Sequence, residues 1–164
     1  MLRALGLAGG LAVGAAGAQF PEYSQQYAQR LAGAVDELSG FVAEFDADAR
    51  GLGLSRQAAL EGLAEGGDMG AARAETMGAV IARHARLSAD LEALRGAGPF
   101  TRAYRAAHLT EPEIARAALS DFKPALPLTF EGAVFALFGF LAGLGFIRAL
   151  GAVLRWPFRR RGTA

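Results

Sequence analysis

The sequence predicts an all-α protein: an integral membrane helical hairpin of two spans, with an antiparallel helical periplasmic insert between them. Three observations carry that expectation. Apolar, glycine-rich stretches occupy both ends, Ala4–Ala18 and Phe130–Leu154, and a far more polar run separates them. Charge follows the same division: residues 19–127 hold 11 Arg or Lys against 15 Asp or Glu, whereas the ends hold six basic residues against Glu131 alone. The apolar residues of the middle recur with a helical period and not with the alternation of a strand. Whole-chain figures conceal this, because a net charge of +1 and a mean hydropathy of +0.24 would also suit a soluble domain.

The chain then divides into an N-terminal transmembrane helix or signal peptide (1–20), a periplasmic helical hairpin or bundle (21–127), a C-terminal transmembrane helix (128–156) and a basic cytoplasmic tail (157–164). Between Gly132 and Ile147 there are 16 residues without a charge, and a helix over Phe130–Leu154 is about 37 Å long. That exceeds the roughly 30 Å of a bilayer's hydrocarbon core. Thr129 is placed to cap this helix, and Glu131 falls in its first turn, where the helix dipole favours a carboxylate. Trp156 with Arg155, Arg159, Arg160 and Arg161 are the interface anchors, and their positive charge puts the C-terminus in the cytoplasm. Arg148 stands near that boundary and reads as a snorkelling side chain.

Two readings of the N-terminal stretch stand side by side. Arg3, the apolar Ala4–Gly17 and the small residues Ala16-Gly17-Ala18 fit a cleaved signal peptide. A retained first span is the favoured reading, with Pro21 tolerated in an early turn of the helix that follows. Gly6, Gly10 and Gly14 recur every four residues and make one flat helix face, while Gly139 and Gly143 make a similar pair on the second span. These five are the candidate helix-packing residues. They suit pairing within one chain, between copies or with another membrane protein. Basic flanks on both sides leave the two termini cytoplasmic and the residues between the spans translocated.

Within the middle, Tyr27, Leu31, Ala34, Leu38, Phe41 and Phe45 form a heptad-like seam over Pro21–Ala49, widened by Val35 and Val42. A second seam, Met77, Val80, His84, Leu87, Leu91 and Leu94, runs through Asp68–Arg95 with Ile81 beside it. Gly51 and Gly53 break the first helix, Ser55 caps a short helix, and Gly66-Gly67 ends it, so the two long helices are expected to pair antiparallel, as in a coiled coil. Gly96-Ala97-Gly98-Pro99 restarts the chain, Thr110-Glu111-Pro112-Glu113 reads as a capping box, and Lys123–Pro127 as an extended lead into the last span.

Chemistry-bearing motifs are sparse. Without cysteine there is no disulfide framework, thiol nucleophile or thiolate metal site. His84 lies in the second seam, where it reads as a hydrogen-bonded core residue or a partner contact. His108 has Glu111 and Glu113 nearby in sequence, which reads as a charged linker before it reads as a metal site. Glu44, Asp46 and Asp48 form a solvated acidic face, since Phe45 and Ala47 interleave on what is still helix and calcium needs a turn-forming loop. The glycine pairs follow no strand and cradle no phosphate. No catalytic residue, cofactor or metal ligand is nominated.

The stretch Gln19-Phe20-Pro21-Glu22-Tyr23, the segment Gln25-Gln26-Tyr27-Ala28-Gln29-Arg30-Leu31 with Asp36-Glu37-Leu38, the pair Phe45-Asp46 and the exit Pro127-Leu128-Thr129-Phe130-Glu131-Gly132 resemble the bacterial membrane proteins grouped as domain-of-unknown-function family 2937. The resemblance covers nearly the whole chain. It implies a bacterial inner-membrane setting and brings no activity or catalytic residues. The expected function is a noncatalytic accessory or scaffold subunit docking onto a larger inner-membrane complex through its spans and periplasmic helices. A small homo-oligomeric channel, or a periplasmic binding module tethered by one span, are the alternatives. Expected partners are membrane lipid, another inner-membrane protein and further copies of the chain; the Arg159–Arg161 cluster suits anionic lipid better than nucleic acid.

Overall fold

A computed structural model describes residues 2–122, 124 and 128–159, with side chains from 4 to 122, at 124 and from 128 to 153. Every regular element among them is helical: α1 (Leu2–Gly17), α2 (Phe20–Gly51), α3 (Arg56–Ala64), α4 (Gly67–Leu94), α5 (Pro99–Tyr104), a 3₁₀ turn (Ala106–His108), α6 (Pro112–Ser120) and α7 (Phe130–Arg159). Pro124 apart, the expected extended lead at Lys123–Pro127 lies outside the described residues. The chain forms two compact units, Met1–Gln25 with Asp121–Ala164, and Gln26–Ser120.

The first unit is a helix pair. α1 hands over to α2 through Ala18 and Gln19 with hardly a break, because Ala18 N–H still donates to Gly14 O and Tyr23 N–H to Gln19 O. Pro21 sits in the first turn of α2, where its missing N–H costs no helical bond. Phe20 stacks on Phe135 of α7 with ring centroids 5.1 Å apart, which is why the unit takes in the first residues of α2. At the start of α7, Thr129 Oγ1 accepts the Gly132 N–H at 3.1 Å and Glu131 occupies the first turn. Among the described residues two helices are long and apolar enough to cross a membrane: Ala4–Gly51, taking α1 and α2 as one, and Phe130–Val153, with mean hydropathies of 1.2 and 2.0.

In the second unit the Ser39–His84 bond joins α2 to α4, and further along α2 Phe45 lines a cavity with Met77, which comes earlier on α4, so the two long helices run antiparallel. Gly53 (φ +70°) follows the end of α2 in the left-handed region that L side chains avoid, and Gly96 (φ +66°) does the same after α4. Ser55 Oγ accepts the Ala58 N–H at 3.2 Å and starts α3. The fully buried core is Tyr27 and Leu31 of α2 with Leu87 and Leu94 of α4, and Ile114 and Ala118 of α6 close over the same end. The observed seam on α2 departs from the expected one. Val35 and Val42, expected only to widen it, are buried, while Phe41 is more than half exposed and Leu38 and Phe45 are partly open. Side chains, not backbones, join α2 to α4, so the stripe on α2 is chosen by what α4 and α6 present and not by a uniform heptad.

The expected capping box at Thr110–Glu113 does not form. Thr110 Oγ1 donates back to Ala107 O, and both carboxylates turn to α4. Glu111, only 8% exposed, accepts from Arg83 at 3.2 Å and from Arg86 at 2.5 Å, and Glu113 accepts from Arg83 at 2.5 Å. The buried Glu111 N–H donates to the Tyr27 hydroxyl at 3.0 Å. A carboxylate facing two guanidiniums gains more from those charge-assisted bonds than from a cap of its own helix. Tyr27→Phe keeps the ring and strips the acceptor, leaving a buried N–H unpaired. We expect it to cost about 1–3 kcal/mol, read from urea unfolding of the full chain in mild detergent, with faster hydrogen exchange at the Glu111 amide.

Candidate functional site

In the first unit the glycines decide how close α1 and α7 come. Gly6, Gly10, Gly14 and then Ala18 are buried at four-residue steps along α1, and Gly143 is buried on α7. A Cβ placed on Gly10 would meet the Phe140 ring at 2.9 Å, and one on Gly14 would meet the Ala136 carbonyl oxygen at 2.9 Å. From the other side, a Cβ on Gly139 would lie 2.6 Å from Val13 O and one on Gly143 2.9 Å from Gly9 O. Carbonyl oxygens therefore fill the space a methyl group would need. Gly6 is looser, at 3.3 Å from the flexible end of Leu144. The partners descend along α7 as the glycines ascend along α1, so the two helices pack antiparallel.

Gly9 and Gly17 belong to the same seam, with Cβ positions 2.7 Å from Ile147 Cγ1 and 2.9 Å from Phe135 O, although they stand off the four-residue repeat. Helical steps of three put them beside the repeat, and that spacing was the available signal. Gly145 faces open space. Val13, Phe140, Leu144 and Ile147 lie against these glycines, whereas Leu5, Leu7 and Leu11 of α1, and Leu137, Phe138, Leu141, Phe146 and Leu150 of α7, are exposed. Arg148 is exposed on α7. Arg155, Trp156 and Arg159 lie on the last turns of the α7 backbone, whereas Arg160 and Arg161 lie outside the described residues.

The polar residues of the second unit act as ties between its helices. Ser39 Oγ directs its one proton to Val35 O at 2.8 Å, so the His84 Nε2–H donates to the Ser39 oxygen, also at 2.8 Å. His108 turns away from its sequence neighbours Glu111 and Glu113: its Nδ1 lies 2.7 Å from Asp90 Oδ1 on α4. Arg105 donates to Ala93 O near the carbonyl end of α4. Asp46, from the acidic face, receives Arg56 through two bonds, Nε to Oδ1 at 2.7 Å and an NH to Oδ2 at 2.5 Å, locking the end of α2 to the start of α3. Those hydrogen bonds hold the Asp46 carboxyl below its ordinary value and raise the Arg56 guanidinium. Glu111 raises Arg86 in the same way. Among the described residues no three His, Asp or Glu side chains stand together as metal ligands would.

One cavity of about 310 Å³ opens between the helices of this unit. Leu38, Phe41 and Phe45 of α2, Leu63 of α3, and Met77 and Val80 of α4 form its walls. No motif in the sequence announced it, because its walls are ordinary seam residues whose helices stand too far apart to close on one another.

Residues 1–160 match a family model described as a protein of unknown function (DUF2937). No curated protein and no solved structure matches the chain.

The seam makes opposite predictions for two glycines of one helix. Gly139→Ala should destabilise the helix pair by about 1–3 kcal/mol, because Val13 O must move, whereas Gly145→Ala should be neutral or gain up to about 1 kcal/mol from helix propensity. Reversible unfolding of the two variants in mixed micelles reads the difference. For Asp46 the folded pKa lies below the unfolded one, so the pair's contribution is complete above the ordinary aspartate value and fades as pH falls through the lowered folded value. Carboxyl-carbon NMR should give Asp46 a midpoint below about 3.9, rising back toward it in Arg56→Gln.

Proposed function

The chain belongs to the DUF2937 family, and from that premise we propose that it is a noncatalytic accessory or scaffold subunit of a bacterial inner-membrane assembly. α1 and α7 are read as two spans with both termini cytoplasmic, and the helices between them as a periplasmic insert. The observation that carries this reading is the glycine seam. A helix pair that meets through glycine faces and carbonyl oxygens while directing Leu, Phe and Val outward suits lipid as its solvent, since association there relies on close packing and not on hiding apolar surface from water. Little of either apolar window is buried, 22% and 6%, which is what a lipid-facing segment would show.

Docking is supported by where exposed apolar side chains gather in the second unit. Leu52 and Met69, each 76% exposed, with Leu54 between them in the chain, stand at the end where α2 stops and α4 starts. Apolar side chains left in water at one end of a domain mark a contact surface. The polar groups that could support catalysis, His84, His108, Asp90 and Glu111, are instead engaged in holding helices together. The glycine face is occupied within the chain, so the partner surface is assigned to the outward side chains.

The absence of native cysteine makes topology directly testable. Gln57→Cys should react with a membrane-impermeant maleimide in intact spheroplasts, and Thr163→Cys only after permeabilisation. Native mass spectrometry in mild detergent should then show a subunit whose mass begins at Met1 with a stoichiometric second protein, lost in the Leu52→Asp/Met69→Asp variant. A uniform homo-oligomer would favour a channel, and a mass beginning at Gln19 a module tethered by one span.

A further inference from the structure

The cavity between α2, α3 and α4 carries a cation as well as apolar walls. Arg73 and Thr76 line it together with Met77 and Val80, and these four positions share one face of α4, since steps of three and four residues bring side chains into line. Arg73 is an exposed residue at the wall of this cavity and makes no ion pair with any described residue, unlike the arginines bound to Asp46, Glu111 and Glu92. Thr76 Oγ1 donates to Ala72 O, which leaves the oxygen itself facing outward as an acceptor. The physical origin of the gap is visible in the fold. α3 packs against α4, whereas α2 is joined to α4 through side chains such as the Ser39–His84 tie, and beyond that tie Phe45, Leu63 and Met77 stand around the cavity.

We propose that this groove binds a free fatty acid, with the acyl chain along Leu38, Phe45, Leu63 and Val80 and the carboxylate on Arg73. Three features select that ligand. Apolar walls favour a hydrocarbon over a polar metabolite, at about 0.8 kcal/mol for each methylene removed from water. The volume of about 310 Å³ lies at the lower end of ligand pockets, enough for one chain and too small for a two-chain lipid. An unpaired guanidinium at the wall recognises a planar carboxylate through two parallel hydrogen bonds. The binding stands independently of the accessory role, because none of the residues it uses belongs to the glycine seam or to the Leu52 and Met69 surface.

The chain's three methionines make the test direct. Met77 lines the groove, while Met69 is exposed outside its walls and serves as the control. Full-length protein in lipid nanodiscs, labelled with ¹³C at the methionine methyls, is titrated with decanoate and, separately, with uncharged decanol. The Met77 resonance should move saturably with decanoate while Met69 stays put, and decanol should bind at least about tenfold more weakly. Arg73→Gln should weaken decanoate by a similar factor and leave decanol unchanged. Val80→Trp should abolish the shift, with an unmoved Met69 resonance reporting that the fold is retained. A Met77 signal indifferent to decanoate, or decanol binding as tightly as decanoate, overturns the proposal. So does a Met77 shift that follows protein concentration without added ligand, which would assign the groove to a second copy of the chain.

Discussion

The closeness of α1 and α7 rests on the absence of side chains where the two helices cross. Val13 O and Gly9 O sit where a Cβ on Gly139 or Gly143 would be, and Ala136 O sits where one on Gly14 would be. Dispersion is short-ranged, so moving the helices apart by the width of a methyl group forfeits much of the attraction along the whole seam. The glycine face is committed to the partner helix, where it meets Phe140, Leu144 and Ile147, and Leu5, Leu11, Phe138 and Phe146 are displayed outward. In the bilayer proposed for this pair, the same arrangement would present hydrocarbon to lipid and keep carbonyl-rich backbone against backbone.

The second unit is organised by a different principle. α2 and α4 are long enough to pair, yet they are held by individual side chains: the Tyr27, Leu31, Leu87 and Leu94 core at one end and the Ser39–His84 bond in the middle, while at the other end the Asp46–Arg56 bond ties α2 to α3, which packs on α4. Glu111 concentrates this. One buried carboxylate satisfies two arginines of α4, and its own amide is satisfied by Tyr27 of α2, so the start of α6 is stitched to both long helices. Buried charge is tolerated only where it is paired and hydrogen-bonded, and Glu111 meets that condition through residues 25 and 28 positions away. Between the tied points the helices are free to stand apart, and a groove is the result.

Local signals were legible wherever the cause is local. Gly53 and Gly96 end helices because the left-handed backbone they adopt excludes other residues, Ser55 caps because its hydroxyl reaches an amide three residues on, and Thr129 does the same for α7. The bounds of α2, α4 and α7 follow from period and from such stops. At Thr110–Glu113 a distant charge overrides the local signal. Thr110, Glu111, Pro112 and Glu113 have the right local grammar, but two arginines on a distant helix compete for the same carboxylates and their charge outweighs a cap. His108 shows the same competition, drawn to Asp90 on α4 and not to the glutamates that follow it.

By itself the sequence determined the helical class, the apolar ends, the acidic middle and the glycine repeat, because propensity, hydropathy and side-chain size act within a few residues of one another. Only the tertiary structure decided which faces those helices use. It put Gly9 and Gly17 into the seam beside the four-residue repeat, buried Val35 and Val42 in preference to Phe41, engaged Glu111 with Arg83 and Arg86, and left Arg73 on the wall of an unfilled groove. Each of those outcomes depends on the distance between two backbones, which no residue specifies alone and which packing sets for all of them at once.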